Sequence, residues 1–143
     1  MQIPSTCPQA EVSGAAIMDH GKQEALRHRW IESEKAGRDL GNEAERSWIR
    51  DHWNGYLRSR WLEHLHGQRF WRGLKQDDFG LLRDAFQDKA LLLDRILDRF
   101  KCGQENLDII NWAHTFGIPF QPLFEILVAL DINGRRLVCQ FDS

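Results

Sequence analysis

Arg46 to Arg72 reads RSWIRDHWNGYLRSRWLEHLHGQRFWR, a stretch in which tryptophans alternate with arginines and histidines. At 100° per residue, Ile49, Trp53, Leu57, Trp61 and Leu65 recur every fourth position and form one apolar ridge, the mark of an amphipathic helix. Asn42 is a good N-cap and Gly67 a good stop, so the helix is expected from Asn42 to about His66. Asn54-Gly55 in its middle costs about 1 kcal/mol in propensity, and a bend is expected there. Arg46, Arg50, Arg60 and His64 fall near the ridge. Glu45, Trp48, His52, Tyr56, Ser59, Glu63 and His66 gather on a second side, which the ridge does not need for packing.

Working outward, Asp19 to about Gly37 reads as a first helix, with Leu26, Trp30 and Ile31 as its apolar positions. Asp77 or Asp78 can cap a third helix running through Phe79, Leu82, Phe86, Leu93, Leu97 and Phe100 to Cys102. Glu105 to Thr115 makes a fourth, stopped at Gly117. Pro122 suits the first turn of a fifth, ending near Asp131. Asn133-Gly134 followed by an apolar run is the signature of a tight hairpin turn, so Arg135 to Phe141 is a candidate β-hairpin arm. The expectation is an all-α single domain of about five helices, with or without a short C-terminal hairpin. Residues 1–18 form a fraying N-terminal segment, 19–67 a helical hairpin, and 77–143 three helices and a tail.

The chain of 143 residues carries a net charge of -2, so any nucleic-acid role needs a local basic patch. Such a patch exists in sequence: from Arg46 to Lys75 there are seven Lys/Arg against two acids, whereas Gln76 to Asp108 holds eight acids and five bases. The three cysteines, Cys7, Cys102 and Cys139, are far apart and form no CxxC pair. That argues against a disulfide framework or zinc finger and for a cytoplasmic protein. No run of apolar residues is long enough to span a membrane.

Catalytic chemistry finds little support. Cys102 lies at a helix C-terminus, where the dipole disfavours a thiolate. Ser47 and Ser59 lie near His52 but without a nucleophile elbow, and Asp131 to Gly134 fits a calcium loop only until Arg136 falls where glycine is required. One metal-like spacing is present. Glu63 and His66 form a Glu-x-x-His pair, and His28 with Glu32 could complete a shell from the first helix. A second Glu-x-x-His is lacking, and no cofactor is expected.

Two segments resemble known patterns. Ala113-x3-Gly117-Ile118-x4-Leu123-x2-Ile126, within Leu107 to Leu127, resembles a helix-turn-helix, and a hairpin from Arg135 would sit where a winged version has its wing. The resemblance implies a second helix in the major groove, Gln121 reading a base, and Arg135 and Arg136 on phosphate. That helix departs from the pattern in starting with Phe120, Gln121, Phe124 and Glu125 and no Lys or Arg. Ser33 to Gly41 is similar to a short segment of uncharacterised bacterial proteins and implies no activity. Read physically, it offers Glu34–Arg38 and Lys35–Asp39 as helical ion pairs.

Three functions follow. The leading one is a non-enzymatic interaction or regulatory module with a protein partner or a second copy, presenting Trp48, His52, Tyr56, Phe120 and Phe124. The first alternative is nucleic-acid binding through Arg50, Arg58, Arg60, Trp53, Trp61, Gln121, Arg135 and Arg136. The second is a metal-dependent helical enzyme using His28, Glu32, Glu63 and His66.

Overall fold

The long helix forms as its ridge requires. In the computed structural model, which describes residues 15–141, it runs without interruption from Asn42 to His66 through Asn54-Gly55. Burial of its apolar side chains outweighs the propensity cost of a central glycine. We label it α2, after α1 (Ile17–Ala36) and before α3 (Leu81–Ala85), α4 (Ala90–Lys101), α5 (Asn106–Thr115) and α6 (Phe120–Leu130). Short 3-10 turns occupy Gln76–Asp78 and Gln87–Lys89, and no strand occurs among the described residues.

Four helix ends share one device. After α1, α2, α4 and α5 a glycine (Gly37, Gly67, Gly103, Gly117) takes a left-handed φ, and it and the next residue donate back to the last turn. This paired 6→1 and 5→2 bonding closes the orphan carbonyls of each helix. At the α2 end the glycine is required twice over. Gly67 has φ 78°, and a Cβ there would lie 3.2 Å from Gly80 Cα. Gly80 in turn sits at φ 72° and donates to His64 O at 2.8 Å. That left-handed residue breaks the single third helix expected from Asp77 to Cys102. Its residues fold instead as a 3-10 turn, α3, a second 3-10 turn and α4.

Two cores lie along α2. Its C-terminal half supplies Leu57, Trp61, Leu62 and Leu65 to the main core, with Trp71, Phe100, Ile109, Leu123, Ile126 and Leu130 among its partners. Its N-terminal half supplies Trp48 and Trp53 to a smaller one, closed by Ala25 of α1. The face that α1 buries is therefore Ile17, Gly21 and Ala25, not the expected Leu26, Trp30 and Ile31. Bulky rings on α2 fill the space, and only small residues let the two backbones approach. A Cβ on Gly21 would lie 3.1 Å from Trp53, 3.2 Å from Phe141 and 3.3 Å from Tyr56. Trp30 is left 66% exposed.

The N-terminal expectation needs one correction. Residues 1–14 lie outside the described residues, but Ala15 to Met18 are part of the fold. Arg72 N–H donates to Ala15 O at 3.0 Å, Ile17 N–H donates to Arg72 O at 2.9 Å, and the Ile17 side chain is buried. The expected hairpin is also replaced. Arg135 to Phe141 crosses back over α1 and α2 as an irregular strap. Trp53 Nε1–H donates to Leu137 O at 2.9 Å, and the Phe141 ring packs edge-on against Trp53.

His64, wholly buried, binds the strap of residues 67–80 to α2. Its Nδ1 accepts the Trp71 N–H at 3.1 Å and its Nε2–H donates to Lys75 O at 2.8 Å, which sets a neutral imidazole. Burial, more than any neighbouring charge, holds its pKa below the usual histidine value, and burial does the same for His20. A depressed histidine pKa leaves the unfolded chain with more bound protons at mildly acid pH. The stability these rings contribute is therefore complete above about pH 6.5 and falls as pH drops below it. Urea titrations followed by circular dichroism from neutral pH down to about pH 5 will show that decline. His64→Gln will flatten it to the part due to His20 and cost about 2–3 kcal/mol, by orphaning the Trp71 donor or the Lys75 acceptor. Gly21→Val will wedge α1 from α2 and cost about 1–3 kcal/mol in the same titration.

Candidate functional site

The second side of α2 proves to be the packing surface for α1. Trp48 is buried, Tyr56 O–H donates to Ile17 O at 2.9 Å, and the His52 ring lies 5.8 Å from that of His28. Burial pushes the Tyr56 hydroxyl up to about 12. Glu45, also buried, receives Lys22 at 2.7 Å and Arg29 at 2.8 Å, and the Lys22 bond leads in holding its carboxyl below the usual range. Trp48 and Tyr56 thus correct the expectation of a face unneeded for packing, while His52 stays exposed. The helical period was right, but the ridge occupies only one of the two sides that this long helix buries.

Arg29 also grips Asp39 through two bonds of 3.0 and 2.8 Å, which hold that carboxyl far below its usual range. Because α1 stops at Ala36, the chain from Ser33 to Gly41 turns back. Asp39 pairs with Arg29 and Lys35 with Glu32, replacing the expected Glu34–Arg38 and Lys35–Asp39 pairs.

The metal set does not assemble. Glu63 accepts Trp71 Nε1–H at 2.8 Å, His66 Nε2 meets Asp94 at 2.9 Å, and Glu32 meets Lys35 at 3.2 Å. Among the described residues no three His, Cys, Asp or Glu side chains converge on one point. Spacing on one helix placed Glu63 beside His66, but each is turned to a different structural partner.

The proposed nucleic-acid set divides. Trp53 and Trp61 are core residues with no open ring face. Arg60 lies over Tyr56 and Trp71, its Nε 2.9 Å from Glu63 yet not aligned for a hydrogen bond. Arg50 is exposed beside Asp51 and Ser47. Arg58, Arg135 and Arg136, however, come together with one edge of Trp61 around a cleft of about 580 Å³. Its walls are the middle of α2, the turn from Lys101 to Glu105, and the chain from Ile132 to Arg136.

Two of these arginines have structural work. Arg135 donates to Leu130 O at 2.6 Å and Ala129 O at 3.1 Å, reaches Asp78 at 3.3 Å and lies over the Trp61 ring. It closes α6, whose C-cap is Asp131 at φ 45° and not glycine. Arg58 holds Glu105 through bonds of 2.6 and 3.1 Å, and this bond leads in drawing the Glu105 carboxyl below its usual range. Glu105 is also the N-cap of α5, in a capping box with Asp108. Among the described residues, Arg136 hydrogen-bonds the Arg135 carbonyl at 3.5 Å and Lys101 hydrogen-bonds Gln68 at 3.4 Å.

A second feature lies on α6. Leu123, Ile126, Leu127 and Leu130 face the core, while Phe120, Phe124 and Val128, one turn apart, are 55, 46 and 58% exposed. The Phe120 and Phe124 rings stack at 5.3 Å. Phe116, just before the turn, is 70% exposed. Gln121 is also exposed and contacts Glu125 at 3.4 Å. The outward face of α6 is therefore apolar and largely aromatic.

Sequence reasoning missed Lys101, Glu105 and Asn133 of the cleft, because nothing in their own segments marks them. It also missed Val128 and Phe116, although Phe120, Phe124 and Val128 at i, i+4, i+8 were a readable stripe. Arg135→Ala will cost about 2–3 kcal/mol, since charged hydrogen bonds to two buried carbonyls are lost. Arg135→Lys will recover little, because one ammonium cannot reproduce the fork. Thermal unfolding of both variants checks this. Comparison with protein-family models, with curated proteins and with solved structures finds no match to the chain.

Proposed function

We propose that the protein is a non-enzymatic interaction module that self-associates through α6. The observation that carries this reading is the stripe of Phe120, Phe124 and Val128, exposed on a helix whose opposite face is already in the core. Scattered exposed apolar residues need no partner, but consecutive turns of one helix presenting them do. Leu26, Trp30 and Ile31 of α1 are exposed as well but stand among Arg27, Arg29 and Glu34, and Leu81, Leu91, Leu107 and Val138 are exposed singly on separate segments.

A second copy is the occupant that the chemistry favours. In a two-fold pairing of antiparallel α6 helices, Phe124 meets Phe124 near the axis and Phe120 meets Val128, so the stripe is complementary to itself. The only charge on the helix is Glu125, about 100° around it from Phe124, so the stripe itself carries no charge into the apolar contact. Stacked phenylalanines add aromatic contact beyond their area. The stripe is short against a standard interface of about 1,600 Å², so the dimer is weak and forms with rising concentration. Cytoplasmic residence belongs to the same reading; among the described residues no helix is long and apolar enough to cross a membrane.

Sedimentation equilibrium over a concentration series will give a monomer–dimer isotherm for the wild type. Phe124→Asp will be monomeric throughout with an unchanged circular dichroism spectrum, because its side chain is half exposed and outside the core. A wild type that stays monomeric at the highest soluble concentration, or a Phe124→Asp variant that dimerises like it, would rule the reading out.

A further inference from the structure

Independently of α6, whose stripe residues do not line it, the cleft beside Arg58 gathers charge that the rest of the molecule lacks. In a chain of net charge -2, four cations (Arg58, Lys101, Arg135, Arg136) line one concavity with a single acid, Glu105. We propose that this cleft binds the phosphate of a small molecule of about mononucleotide size.

Three observations support it. The first is shape: about 580 Å³ lies within the usual range of small-ligand pockets. Cations clustered in a concave, partly apolar wall focus their field into it. The second is that the fold satisfies only some of these cations. Arg135 is committed to α6, whereas Lys101 and Arg136 meet no carboxylate among the described residues.

The third is that Arg58 already shows the mode of recognition. Both of its Nη atoms hold an oxyanion, the Glu105 carboxylate, in the forked geometry that guanidinium offers to carboxylate and phosphate alike. The Glu105 side chain is 52% exposed, so this internal anion is held at the rim and is displaceable. A phosphate entering between Arg58, Lys101 and Arg136 replaces Glu105 on the fork and gains the two cations that Glu105 does not reach. A small ester fits better than a long polyanion, because the segment around Lys101, Gln76 to Asp108, carries eight acids against five bases.

Isothermal titration calorimetry of the full chain at low salt tests this with three probes: pyrophosphate, ADP and a mixed-sequence single-stranded oligonucleotide. Pyrophosphate and ADP are expected to bind, more weakly as salt rises. A Lys101→Ala/Arg136→Ala double variant removes two exposed side chains, keeps the wild-type circular dichroism spectrum and weakens ADP at least about tenfold. Glu105→Gln keeps a cap acceptor for α5, releases Arg58 and tightens ADP several-fold. The proposal is overturned if neither small probe binds, if their affinity is indifferent to both variants, or if binding is confined to the oligonucleotide.

Discussion

The buried imidazole of His64 is the constraint on which the architecture depends. One ring nitrogen accepts the Trp71 N–H and the other donates to Lys75 O, while its backbone carbonyl accepts the Gly80 N–H. A single residue on α2 thus fixes three points of the chain that follows it. With those points fixed, Trp71 enters the core, capped by Glu63 at its indole N–H and covered by the Arg69 guanidinium at 4.2 Å. The segment beside Trp71 in turn pins the start of α1 through Arg72. A buried ring with both nitrogens satisfied is stable; the same ring with one partner removed would leave an unmet polar group in the core.

From that anchor the two cores divide the labour of α2. The main core is mostly aliphatic, with Trp61, Trp71, Phe86 and Phe100 set into it, and draws on every later helix. The smaller one is aromatic and narrow, roofed by the small residues of α1 and strapped by Leu137 and Phe141. Beside it lies the Lys22–Glu45–Arg29–Asp39 chain of ion pairs, in which a buried carboxylate is held by two cations. Removal of one partner from such a chain leaves an uncompensated buried charge, so these residues specify how α1 docks.

The two proposed sites are places where this packing leaves groups over. On α6 the leftover is an aromatic stripe behind a fully used core face; in the cleft it is positive charge that Glu105 only partly offsets. The stripe lies outside the tryptophan-rich stretch that dominates the sequence, and the cleft takes one wall from its middle, Asn54 to Trp61. The tryptophans of that stretch, its tyrosine and His64 are absorbed by packing, while His52 is exposed, so residue type alone could not tell surface from core.

Local signals were legible in the sequence, and long-range ones were not. Helical periodicity and glycine stops placed α1, α2, α5 and α6 within a few residues, because those signals act through backbone geometry inside one element. The same reading put an unbroken helix across Gly80 and a hairpin after Asn133. There the outcome rests on the His64 carbonyl, sixteen positions before Gly80, and on Trp53, eighty-four before Leu137. The candidate sites divide in the same way. Phe120 and Phe124 could be named from one helix. The meeting of Arg58 with Lys101, Glu105 and Arg136 could not, since no pattern within a segment encodes which distant chain will stand opposite it. The sequence alone determined the helical period of α2 and the stops of most helices; only tertiary packing decided that the polar-aromatic side of α2 would be buried beside its ridge and that Leu26 and Trp30 of α1 would not, because burial depends on what each face meets.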